Sequence, residues 1–315
     1  MLNIETITND RQFRATVGYG ELEFVALLSD FEKYYREEKS ESYENYVLYL
    51  KENTTEDKYP KLDTLKKVLT LILYQMKHGN TYDVLGVIFE ISGTAARDYF
   101  ITYSALLDEM LEKNLKPSRG FKTVEEFEKK TKDAEELLID GFENPIERKK
   151  NYDAQKADYS GKQHCHTDIG LCMSDKDTFI YYISELYPGS NVDYAILKQE
   201  FPPEQPWFST KVIKVDLGFT GIKKDYVAKK FVIGYKKPKS SKNNPNAQLT
   251  KEQKAHNTQV AKERIYVEHA IGGMKHFRIL RNECRLKNIK LKNKIVGLAA
   301  ALWNFRVRFR QQNNL

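Results

Sequence analysis

The chain has 315 residues, 41% of them hydrophobic and 12% aromatic, which is enough for two domains and a sizeable core. The longest apolar run, Ile295 to Trp303, falls far short of the ~20 residues that cross a bilayer, no basic-then-apolar leader opens the chain, and three cysteines without a CxxC pair argue against a disulfide framework and a conventional zinc module. The net charge of +7 is unevenly spread, with 26 Lys and Arg against 38 Asp and Glu before Gln205 and 25 against 6 from there on, so a soluble protein of a reducing, cytoplasmic compartment is expected, with a polyanion as the partner of its C-terminal third.

Residues 1–60 are acidic and tyrosine-rich. Leu22, Phe24, Val25, Leu28 and Phe31 recur at helical spacing and predict a docking helix from Glu21 to Tyr35. Residues 61–112 predict three helices. Leu65, Val68, Leu69, Ile72 and Leu73 mark the first, Tyr82 to Phe89 a short second, Ile91-Ser92-Gly93 a turn, and Thr94 to Met110 a third that opens on a capping hydroxyl. This is the helix-turn-helix plan, which would turn Thr94, Arg97 and Asp98 toward a DNA major groove. Cations are sparse here, and dimerisation is the alternative role for the same helices. Residues 113–134 are polar, with Pro117, Ser118 and Gly120, and read as a linker.

From 135 to 315 strands and helices alternate. Leu137-Leu138-Ile139 runs into Asp140-Gly141, and Val212-Ile213-Lys214-Val215 into Asp216-Leu217-Gly218, so both aspartates are expected at the carboxyl ends of strands, where α/β sheets gather ligands. Two strands, a short helix from Val192 and a proline-rich connection lie between them. A basic loop with Arg148 follows the first. Beyond the second come a strand and a loop with Lys236, Lys237, Lys239 and Lys242, expected to clamp DNA. The proline-free segment 249–277 reads as helix, with Arg264, Glu268 and Lys275 four and seven residues apart on one face. On the last helix, Ile295, Leu298, Leu302, Phe305 and Phe309 form a stripe expected to pack on the sheet. Taken singly, an aspartate after a strand is usually a turn residue, and a glutamate between cations a solvated ion pair. Three such carboxylates in order, the last on a basic helix face, instead suggest oxygen ligands for hard divalent cations, a pair of which can drive phosphodiester cleavage. His164, Cys165, His166 and Cys172 have metal-binding side chains but lack a second ligand pair, and read better as a strand.

Five ordered groups carry a family resemblance. They are Asp140-Gly141-Phe142-Glu143 with Pro145, Ile146 and Arg148; Tyr159-Ser160-Gly161-Lys162 before His166-Thr167; Pro188-Gly189-Ser190 with Asp193; Asp216-Leu217-Gly218-Phe219; and Asn257, Arg264, Glu268, Gly272, Gly273 and Lys275. The series resembles the DDE transposases of bacterial insertion sequences, within them the insertion-sequence-five-like group with its Harbinger-related catalytic domain. The resemblance implies an α/β fold: a ribonuclease H-like catalytic domain at 135–315, its mixed sheet flanked by helices, preceded by an all-helical helix-turn-helix domain. It implies Asp140, Asp216 and Glu268 as the catalytic, metal-binding triad for two Mg²⁺ ions, with Mn²⁺ able to substitute. Arg264 and Lys275 become DNA contacts, and His166 a support for the first aspartate. The implied activity is a transposase that binds the ends of its element, cleaves DNA and joins the 3′-hydroxyl ends to target DNA. A domesticated nuclease and a non-catalytic DNA-binding regulator are the alternatives. Double-stranded DNA is the implied partner, in a homodimer or higher oligomer that is nucleoid-associated and has no membrane contact. Ala261, where the family has tyrosine, and Val192, where it has histidine, depart from the pattern and leave the triad intact.

Overall fold

The structure, a computed structural model, describes residues 2, 4–56, 59–112, 114–239 and 247–314. The chain forms two compact units, Met1–Lys116 with Lys275–Cys284 and Lys294–Leu315, and Pro117–Met274 with Arg285–Asn293.

The first unit is helical, with α1 (Asp10–Val17), α2 (Glu21–Lys39), α3 (Tyr43–Asn53), α4 (Leu65–His78), α5 (Tyr82–Phe89) and α6 (Gly93–Glu112). Side-chain oxygens of Asn9, Ser42, Thr64 and Thr81 accept from backbone amides at the starts of α1, α3, α4 and α5, satisfying donors that a helix leaves unpaired. The three helices expected in 61–112 are thus present as α4, α5 and α6. Their tight corner has a steric origin: a Cβ on Gly86 would lie 2.7 Å from the Ile91 carbonyl oxygen, and Ser92 Oγ accepts from Ala95 N at 3.1 Å. The predicted docking helix is mainly a core element, because α2 buries Phe24, Leu27, Phe31 and Tyr35 while Leu22 and Val25, off that face, are 71% and 54% exposed.

The C-terminal helix, Ile289–Asn313, was expected on the sheet, but its residues from Lys294 onward belong to the helical unit. Glu23, 3% exposed, accepts from Arg306 at 3.2 Å, from Arg14 at 3.1 Å and from Gly20 N at 2.8 Å. Tyr19 Oη donates to the Leu302 carbonyl at 2.7 Å, and the Arg306 guanidinium lies 4.7 Å from the centre of the Tyr19 ring. The apolar stripe thus carries a buried arginine, and burying that charge requires a carboxylate partner.

The second unit contains, in order, α7 (Val124–Lys130), β1 (Glu136–Pro145), α8 (Tyr152–Asp158), β2 (Tyr159–Ser160), β3 (Cys165–Ser174), β4 (Ile180–Ile183), β5 (Tyr187–Pro188), α9 (Asp193–Glu200), β6 (Phe208–Lys214), α10 (Ile222–Asp225), β7 (Ala228–Val232) and α11 (Lys251–Met274). The sheet order is β2-β3-β1-β6-β7, with β4 and β5 also paired to β3. β1 runs antiparallel to β3 and parallel to β6, and β7 parallel to β6. This mixed sheet, flanked by helices, is compatible with a ribonuclease H-like domain. Fully buried Phe127, Phe201, Trp207 and Phe208 form an aromatic core through mostly edge-to-face contacts. β1 does not end at Asp140 as expected. Its parallel partner β6 stops at Leu138↔Lys214, but β3 continues the ladder to Pro145↔Thr167, so Asp140 lies mid-strand. Lys242 lies outside the described residues.

Glu23→Ala should destabilise the protein by about 3–5 kcal/mol, the usual cost of leaving a buried charge unpaired. Adding Arg306→Met should recover much of that loss. Urea unfolding of the two single variants and the double variant gives the coupling directly, and additive effects would show that the pair does not hold the C-terminal helix.

Candidate active site

The parallel register of β1 and β6 brings the first two carboxylates together. Leu138 is level with Lys214 in the last pair of that ladder, and Asp140 and Asp216 each follow two residues further on, near enough for the charge of Asp216 to act on Asp140. The Asp140 side chain is 12% exposed; its Oδ1 accepts from Gly141 N at 2.9 Å and its Oδ2 from Arg264 Nη2 at 3.0 Å. Asp216 leaves the sheet to cap the single turn Leu217–Phe219, its Oδ1 accepting from Gly218 N at 2.7 Å. Burial pushes the Asp140 carboxyl above its ordinary value; Arg264 opposes this and the negative charge of Asp216 adds to it.

Helix α11 supplies the third carboxylate. Val260, Val267, Ala270 and Met274 form its buried face, and Lys214 Nζ pins it to the sheet by bonding Glu136 at 2.7 Å and Glu263 at 2.9 Å. Arg264, the next residue, therefore points at Asp140, and its Nη2 also lies 3.6 Å from Glu268 Oε1. Glu268 is 58% exposed, and Arg264 Nε is buried with no hydrogen-bond partner. The helix ends at Met274, so Lys275 stands in the turn that follows and counts with the helical unit.

A fourth carboxylate was missed as a site residue. Asp193 opens α9 and lies against the backbone of β1, where a Cβ on Gly141 would come 1.9 Å from its Oδ1. A side chain at 141 would have to displace the Asp193 carboxylate. Asp193 Oδ1 is itself buried without a hydrogen-bond partner. Burial and then Asp140 push the Asp193 carboxyl up to about 6, against the pull of Lys162. The family series includes Asp193 after Pro188-Gly189-Ser190 but gives it no site role, and an acidic residue in the first turn of a helix is ordinary.

Cys172, not His166, is the cross-strand neighbour of Asp140. His166 lies six positions away along β3, roughly 20 Å, with its ring 5.7 Å from Tyr159, so it cannot support the first aspartate as the resemblance implied. Among the described residues no group of three or more His, Cys, Asp or Glu is arranged to hold a metal ion. The donor chemistry of Asp140, Asp216, Glu268 and the orphaned Asp193 oxygen nevertheless suits a hard divalent cation. A guanidinium stands between two of these carboxylates.

The basic residues are distributed around the chain. Lys236, Lys237 and Lys239 are exposed on the segment after β7. Its start is tied to α11, two turns before Arg264, because Asn257 accepts from Tyr235 N at 2.7 Å and donates to Tyr235 O at 2.9 Å. Arg148 is exposed and held by Gln155 at 2.8 Å. Thr94 and Arg97 are exposed at the start of α6 in the helical unit, Arg97 lying 3.6 Å from its neighbour Asp98.

Residues 139–304 match the family model of the DDE superfamily endonucleases. Over 253 residues, 78% of this chain and 82% of the relative, the sequence is 30% identical to a probable transposase for insertion sequence element IS702 from Microchaete diplosiphon. No solved structure matches the chain.

The Asp193 carboxyl titrates near 6 in the folded chain against 3.8 in its ordinary state, so the folded chain binds this proton more tightly. Stability from this group is fully present at low pH and lost as the pH rises through about 6. Asp193→Asn should therefore raise the urea midpoint at pH 7.5 and have a smaller effect at pH 4.5. A variant less stable than the natural chain at pH 7.5 would overturn this reading.

Proposed function

The chain belongs to the DDE superfamily of endonucleases, among the transposases of insertion sequences, and we propose that it binds the ends of its own element, hydrolyses a phosphodiester there and joins the freed 3′-hydroxyl to target DNA. The observation that supports this most is the placement of Asp140 and Asp216 two residues beyond the last pair of the parallel β1–β6 ladder, with α11 linking Glu268 to Asp140 through Arg264. Asp140 and Asp216 would hold divalent ions between them and Glu268 would complete the set from the helix. When bound, two Mg²⁺ ions, with Mn²⁺ able to substitute, supply the Lewis acidity that activates an attacking oxygen and stabilises a leaving one. The chain itself provides no nucleophile: water attacks in the first step and the DNA 3′-hydroxyl in the second.

Other residues bind and orient DNA in this proposal. Arg264 and Lys275 contact phosphates near the scissile bond, and Lys236, Lys237, Lys239 and Arg148 hold flanking backbone. Thr94 and Arg97 on α6 read the element end. Joining two DNA ends to one target requires two sites, so the working form is a dimer or larger assembly acting at the nucleoid.

Asp140→Asn and Asp216→Asn should each abolish Mg²⁺-dependent cleavage of a labelled duplex carrying the element end, with DNA affinity nearly unchanged. Cleavage by either variant would remove that carboxylate from the reaction. Lys275→Ala should weaken binding to all sequences alike and reduce the slope of log affinity against log salt by about 0.9, the share of one phosphate contact. Filter binding from 50 to 300 mM KCl measures this slope, and an unaltered value would show that Lys275 touches no phosphate.

A further inference from the structure

Arg264 is placed where a metal-site cation would be. A single nitrogen, Nη2, stands 3.0 Å from Asp140 Oδ2 and 3.6 Å from Glu268 Oε1, joining the sheet carboxylate to the helix carboxylate. We propose that Arg264 is an exchangeable cation: it holds Asp140 and Glu268 until a divalent ion takes them, and the released guanidinium then engages a DNA phosphate. The proposal rests on the assignment of Asp140 and Glu268 to the metal site and adds competition for those carboxylates within the chain.

Three observations support the exchange. A divalent ion binding the same carboxylates would sit beside a fixed positive charge, so Arg264 and the ion exclude each other by charge as well as by space. The guanidinium is incompletely satisfied, because its Nε is buried without an acceptor and Glu268 is 58% exposed. It thus gives up less on leaving than a fully bonded arginine would. Lys214, at the end of β6 and also paired to α11, differs: its side chain is 10% exposed, and it bonds both of its carboxylates at 2.7 and 2.9 Å. Because Lys214 anchors α11 through Glu263, the helix keeps its position when Arg264 moves. The planar fork that pairs with a carboxylate matches phosphate equally well. Metal binding should therefore strengthen DNA binding, and DNA metal binding, by the same factor.

The test uses the full chain without DNA and Mn²⁺ alone as the probe, with free Mn²⁺ followed by electron paramagnetic resonance. Arg264→Gln should bind Mn²⁺ more tightly than the natural chain, by a factor on the order of 10. Arg264→Lys keeps the charge without the fork and should fall between the two, which covers the case in which the glutamine variant does not fold. With Ca²⁺ as a non-cleaving ion, the natural chain should gain more affinity for a duplex than either variant gains. Equal or weaker Mn²⁺ binding in both variants would overturn the exchange. Asp140→Asn tests the underlying assignment separately: if it binds Mn²⁺ as well as the natural chain does, the metal site itself is wrong, whatever the arginine variants do.

Discussion

Two negative side chains, each two residues beyond the last pair of the β1–β6 ladder and one of them nearly removed from water, are the constraint around which the sheet unit is organised. Like charges at that spacing oppose folding unless positive charge reaches them or one takes up a proton. Both remedies are visible. Arg264 reaches across from α11, and the carboxyls of Asp140 and Asp193 are shifted toward their neutral forms. A site arranged this way is unfavourable for the bare carboxylates.

The surrounding structure separates rigid parts from movable ones. Asp140 is fixed by its ladder with β3, and Asp216 by its own turn. Gly141 lets α9 approach closely enough to press a further carboxylate onto the strand. Lys214 locks α11 to β1 and β6 through two short ion pairs in a protected position. Glu268 extends from the exposed side of that fixed helix, free to adjust its side chain while its backbone stays in place. Carboxylates on rigid elements with one adjustable arm would suit chemistry in which substrate and product differ in shape.

Much of this was legible in the sequence because it is local. The strands before Asp140 and Asp216, the proline-free helix and the three helices of 61–112 all follow from short-range periodicity and capping residues. What could not be read depends on distant pairing. The continuation of β1 past Asp140 is set by β3, not by its own residues. The burial of Arg306 is set by Glu23, 283 residues away. The place of Asp193 in the site depends on its approach to Gly141, 52 residues earlier, and the neighbour of Asp140 is Cys172 rather than His166 because of the β1–β3 register. The face of α2 was misjudged because apolar residues at 22 and 25 resemble core residues on a helix that buries a neighbouring stripe.

The helical unit is discontinuous in the chain, since Lys294–Leu315 completes what Met1–Lys116 begins. During synthesis the sheet residues from Pro117 to Met274 all emerge before that last helix does, a delay on the order of ten seconds at ordinary elongation rates. Throughout it Glu23 has Arg14 beside it but not Arg306, and the Tyr19 hydroxyl has no Leu302 carbonyl to bond. The N-terminal helices must therefore wait, incompletely packed, for the last residues of the chain. A polypeptide released before Lys294 would carry Asp140, Asp216 and Glu268 and still lack a finished helical unit.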